Sequence, residues 1–130
     1  LRLALPPLQP RLVWEEGNKE FGCSYHKLCR FNHDQGRIQV DIFVMKAIAH
    51  RRPIAVTISS HNKEGSEVKR EKLGFNTVEE AKGGTSTIER ALISVRLVPE
   101  PKAEPLARSM TDFITEQQDE IRRALEKVRE

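Results

Sequence analysis

Hydrophobic and polar positions alternate most regularly at residues 53–58. Ile54, Val56 and Ile58 fall on one side there, Ala55, Thr57 and Ser59 on the other. A period of two is the mark of a strand. Residues 90–98 read as a second strand stopped by Pro99, and Arg11 to Trp14 as a short third one. The stretch 37–51 fits two templates. Ile38, Val40, Ile42 and Val44 alternate with Gln39 and Asp41, as in a half-buried strand. Val40, Phe43, Val44, Ala47 and Ile48 recur at helical spacing. Branching at Cβ favours the strand, while the alanines that follow and the stop at Pro53 favour a helix. The expectation is a helix over 37–51. A second helix is expected over 67–82, with a thin apolar face of Val68, Leu73, Phe75 and Val78, ended by Gly83 and Gly84.

From Leu106 the period is again helical. Met110, Phe113, Ile114, Ile121, Leu125 and Val128 share a face, and a helix over 106–130 would be about 37 Å long. So long an apolar stripe must pack on the body, on a protein partner or on a second copy of the chain. These six residues are the expected partner-binding face. The pattern implies an α+β fold with one small mixed sheet and packed helices. An extended proline-rich arm (1–10) precedes the α+β domain (11–98). A proline linker (99–105) and the long amphipathic helix (106–130) follow it. With 37–45 as a strand, the alternative is a β-sandwich with a coiled-coil stem, a structural dimerisation module without nucleic acid.

Composition narrows the function. The chain of 130 residues is the length of one domain, 38% hydrophobic and 32% charged, so a modest core lies under a heavily charged surface. The longest apolar run, at 42–45, is far too short to span a membrane. Two cysteines make no disulfide scaffold. The expected compartment is intracellular, either the cytoplasm or the mitochondrial matrix. The net charge of +3 is uneven: +4 over 1–60, +1 over 61–98 and −2 over 99–130. A basic body joined to an acidic tail suits a polyanion partner for the body and a different contact for the tail. The cations flanking the strand at 53–58 are Arg51, Arg52, Lys63, Lys69, Arg70 and Lys72. They are the expected contacts to an RNA backbone, each releasing a counterion from a phosphate. Aromatic residues are only 5% of the chain, which argues against a stacking platform and for structured RNA met by shape and backbone.

Cys23, Cys29 and His33 have the spacing C-x5-C-x3-H, which resembles the last three ligands of a CCCH zinc finger that binds single-stranded RNA. The first cysteine of that family is missing upstream, and His26 would fill the set on spacing alone. The alternative is two buried thiols and two surface imidazoles. The expectation is no bound metal and no cofactor, with a zinc-finger RNA-binding protein as the competing reading. No Walker loop, G-x-S-x-G or H-E-x-x-H is present, and a thiol–imidazole pair needs an oriented base that local spacing does not supply. The chain reads as a non-enzyme.

Residues 27–102 also resemble the C-terminal domain of translation initiation factor three. The segment at 27–31 is similar to its opening strand, 41–50 to its first helix and 54–58 to its second strand. The segment at 72–80 is similar to its second helix, and 91–99 to its last strand and the proline after it. The resemblance implies the order strand, helix, strand, helix, strand, strand, with binding to ribosomal RNA and no catalysis. The acidic helix at the end would be an extension. Together these readings point to a non-enzymatic, RNA-associated component of a ribonucleoprotein, ribosomal or ribosome-bound, that contacts the rRNA backbone through its basic body and protein neighbours through its arm and C-terminal helix.

Overall fold

Five strands precede four helices. The strands are β1 (Arg11–Trp14), β2 (Cys23–His33), β3 (Gly36–Ile48), β4 (Arg52–His61) and β5 (Glu67–Phe75). The helices are α1 (Val78–Lys82), α2 (Thr85–Ser94), α3 (Glu100–Glu116) and α4 (Gln118–Arg129). This computed structural model describes residues 11–14, 23–48, 51–95 and 100–129. The arm expected at 1–10 lies outside the described residues.

The fold is α+β, with one sheet in the order β1-β2-β3-β4-β5 and every neighbouring pair antiparallel. The expected mixed sheet is therefore corrected. Parallel neighbours need long crossovers; of the two helices expected to supply them, the one at 37–51 is β3 as far as Ile48, and the one at 67–82 is β5 as far as Phe75 and helical only in α1, which ends at Gly83 as expected. In β3 the alternation of Ile38, Val40, Ile42 and Val44 prevails over the helical spacing. All four are fully buried against the helices, while β2 and β4 hydrogen-bond the strand on both sides. Phe43 belonged to the helical template, but it stands on the opposite face of the sheet. β5 reads the same way once Lys69, Glu71, Leu73 and Phe75 are seen to alternate, with Phe75 buried opposite Ile54.

Two turns fix this meander. Gly36 follows the β2–β3 turn with φ +140°, and a Cβ there would lie 2.0 Å from the carbonyl oxygen of His61. Only glycine fits that approach. Between β4 and β5, Asn62 Oδ1 accepts from the backbone amides of Glu64 (3.1 Å) and Ser66 (2.9 Å). That is the turn chemistry asparagine supplies.

The strand expected at 90–98 is instead α2, up to Ser94. Ile88, Ala91, Leu92 and Val95 are buried at helical spacing. That three-to-four-residue stripe outweighs the β-branched content of the segment. From Glu100 on, the expected linker forms the first turns of α3, where Pro105 forgoes one helical hydrogen bond. The single helix expected over 106–130 breaks at Gln117, whose amide reaches the carbonyls of both Phe113 (3.0 Å) and Ile114 (3.2 Å). α4 lies on β2 and β3, α1 and α2 lie against β5, and α3 packs along α1 and α2.

One core results. It joins Phe31, Ile42, Val56 and Ile58 of the sheet to Ile88, Leu92, Met110, Phe113, Ile114, Ile121 and Leu125 of the helices, with Val128 packed at its margin. The six residues expected to meet a partner are corrected accordingly: that face closes the protein's own core. The strand–helix alternation implied by the resemblance to initiation factor three is not the order of this chain. Its expected first helix falls in β3, and its expected last strand begins inside α2.

Candidate functional site

All four helices pack on one face of the sheet, so the register assigns the other face its residues. Across β2 to β5 the outer rows run Asn32, Arg37, His61, Glu67; then Arg30, Gln39, Ser59, Arg70; then Leu28, Asp41, Thr57, Lys72; then His26, Phe43, Ala55, Gly74. The face is polar and carries a connected network. Arg30 Nε donates to Gln39 Oε1 (3.3 Å), and Gln39 Nε2 donates to Asp41 Oδ2 (3.0 Å). Asp41 Oδ1 meets His26 Nε2 at 2.8 Å, and the His26 ring stacks on Phe43 with centroids 4.1 Å apart. Both carboxylate oxygens of the nearly buried Asp41 are thus satisfied, as a charge in that position requires.

The expected RNA contacts divide by position. Arg70 and Lys72 stand exposed on the outer side of β5, the edge strand. Arg52, exposed at the start of β4, donates through Nη1 to the Gly74 carbonyl at 3.0 Å. Arg51 is exposed just before it with φ +64°, and Lys63 is exposed in the β4–β5 turn. Lys69 is separated from these. It pairs in register with Ser60 and points to the helix side of the sheet. The structure therefore gathers five of the six cations along one edge, at both ends and on the outer side of β5. Their countercharge is partial. Glu67 Oε1 accepts from Arg70 Nη2 at 2.6 Å, while Arg51, Lys63 and Lys72 make no ion pair among the described residues.

Sequence reading missed Arg30 and Arg37. Each is isolated along the chain, and only the β2–β3–β4 register brings them onto the face that carries Arg70 and Lys72. The available signal was the alternation at 37–43, obscured by the helical template.

The competing zinc reading meets a geometric obstacle. Cys29 is buried on the helix side of β2, and His26 stands on the outer side bonded to Asp41. Two side chains on opposite faces of one strand cannot share an ion. The side chains of Cys23 and His33 lie outside the described residues. Among the described residues no group of three or more His, Cys, Asp or Glu side chains is placed to hold a metal ion. The same opposition separates the Cys29 thiol from the His26–Asp41 pair, so that pair cannot activate Cys29.

Beneath the sheet, β2 carries a buried cation. Lys27 is 2% exposed; its Nζ donates to Gln117 Oε1 and to Glu120 Oε2, the latter at 3.2 Å. It also lies 5.6 Å from the Phe113 ring centroid and 5.9 Å from that of Tyr25. Burial holds its ammonium below the ordinary lysine range, an effect that the bond from Glu120 offsets in part. Burial above all, then the charge of Asp41, pushes the Cys29 thiol up to about 12, and burial likewise raises the Tyr25 phenol. These groups lock the break between α3 and α4 onto the sheet, which makes them structural.

No protein-family model matches the chain, and no curated protein or solved structure is significantly similar to it. Among the described residues no helix is long and apolar enough to cross a membrane.

Proposed function

We propose that the protein is a non-enzymatic, RNA-associated component of a ribonucleoprotein, gripping the sugar–phosphate backbone of structured RNA along the β4–β5 edge. The observation that carries this reading is the row of exposed cations on that edge. Arg51 and Arg52 stand at one end, Lys63 at the other, and Lys72 and Arg70 lie between them. β4 runs ten residues from Arg52 to His61, so the row is about 30 Å long at roughly 3.3 Å per residue. A linear row suits a linear polyanion better than it suits a small ligand. The row is also one-sided, because the helices occupy the far face and their apolar stripe is spent on the core.

Charged edges also keep sheets from pairing with one another, and the bulge at Val68 in β5 serves that purpose as well. The two roles separate by experiment. With four cations free of carboxylates engaging phosphates, affinity for an RNA hairpin should fall with roughly the third to fourth power of salt concentration. The K63Q and K72Q variants should each lower that slope by about one, with little dependence on RNA sequence. If both variants bind as the parent does but aggregate, the charges guard the edge and the RNA reading fails.

A further inference from the structure

Arg37 and His61 face each other across β3 and β4 at the turn end of the outer face. Side chains so opposed have Cβ atoms about 5 Å apart. Both are part-buried, and Arg37 makes no ion pair among the described residues. Its Nε is shielded from solvent with no hydrogen-bond partner, and so is His61 Nδ1. The other ring nitrogen, Nε2, lies 3.1 Å from Ser59 Oγ. Where Nε2 accepts the Ser59 hydroxyl proton, Nδ1 carries the ring proton, so two neighbouring donors lack an acceptor. A shielded N–H donor without an acceptor is costly unless something outside the chain supplies one.

The surroundings select the sign of that acceptor. Arg30 and Arg70 occupy the adjacent row. Glu67, opposite His61, is already bonded to Arg70 through both Nε (3.2 Å) and Nη2 (2.6 Å). Asp41, four residues along β3, is engaged by His26 and Gln39. Asp34 and Glu64 are exposed in the two turns.

We propose that Arg37 and His61 form a phosphate-binding subsite at the turn end of the outer face. To meet a phosphate arriving from solvent, the part-buried guanidinium and ring rotate their shielded, unmatched donors outward. A planar guanidinium is the group best shaped for two-point contact with phosphate oxygens. The ligand assignment rests on the RNA reading above: the subsite anchors one backbone phosphate where the cationic row meets the β4–β5 turn.

The test uses the full chain with inorganic phosphate as the probe, followed by NMR of the Arg37 Nε–H and His61 ring nitrogens. Phosphate should shift both saturably, and chloride at equal ionic strength should not. The R37Q variant should lose the His61 shift and weaken RNA-hairpin binding severalfold, with the salt slope lowered by about one. R37K, which keeps the charge, should retain the slope but bind phosphate less well. A wild-type titration in which phosphate acts no differently from chloride overturns the subsite, whatever the variants do. So does an R37Q protein that binds RNA with the parent's affinity and slope. A saturable phosphate shift in a protein that binds no RNA leaves the subsite standing and removes the RNA reading.

Discussion

Cys29 shows how one buried side chain couples stability to pH. Its thiol lies in the core beneath β2, where burial and the nearby Asp41 charge raise it from 9.0 to about 12. The folded chain therefore holds that proton more tightly than the unfolded chain. The resulting stabilisation is complete below pH 9 and is lost as pH rises towards 12. At about 1.4 kcal/mol per pH unit, roughly 2 kcal/mol should go between pH 9 and 10.5. Tyr25 acts in the same direction at still higher pH. Lys27 acts in the opposite one, because a lysine held below its ordinary value makes the fold more stable as pH rises towards 10.5. The thiol is isolated by comparing urea unfolding of the parent and C29A from pH 8 to 10.5. The stability difference between them should shrink by about 2 kcal/mol, and a constant difference would mean that the thiol is not buried.

Among the elements, the correction of most consequence concerns α3 and α4. The apolar stripe at Met110, Phe113, Ile114, Ile121 and Leu125 was legible from its spacing alone, but its destination was not. A stripe looks the same whether it covers the chain's own sheet or a second molecule. Ile121 and Leu125 are 0% and 4% exposed within this chain. Making both polar should therefore cost several kcal/mol of stability, with no change in the mass of the native species. A dimer that dissociates while the monomer stays folded would restore the partner face. β4 was legible because its neighbours and its period agreed, whereas β3 was not, because Phe43 and the alanines imitate a helical repeat. The segment at 90–98 failed for the converse reason. Its β-branched residues suit a strand, but Gly84 starts a helix whose stripe of Ile88, Ala91, Leu92 and Val95 has a sheet to cover. Of the candidate site, the cations flanking β4 were visible as clusters along the chain. Arg30, Arg37 and the separation of Lys69 depend on register, which a sequence states only once its strands are known.

For the whole molecule, the sequence boundary between a body at 11–98 and a helix from 106 does not coincide with a physical one. The apolar face of the sheet, with Ile38, Val40, Ile42, Val44, Ile54, Val56 and Ile58, is covered by helices that include α3 and α4. Removing residues 99–130 would withdraw six large core side chains: Leu106, Met110, Phe113, Ile114, Ile121 and Leu125. At about 1.5–3 kcal/mol for each large apolar side chain buried, their loss is on the order of 10 kcal/mol. That is as large as the whole stability of an ordinary domain. It would also take the Gln117 and Glu120 side chains away from the buried Lys27 ammonium and expose the apolar surface beside it. A chain ending at residue 98 should therefore show no cooperative thermal transition and should bind a hydrophobic dye. The intact chain should melt in one step, with sheet and helices lost together. A truncated chain that melts cooperatively and binds the RNA hairpin as the parent does would make the C-terminal helices an appendage. In the fold described here they are the second layer of the core.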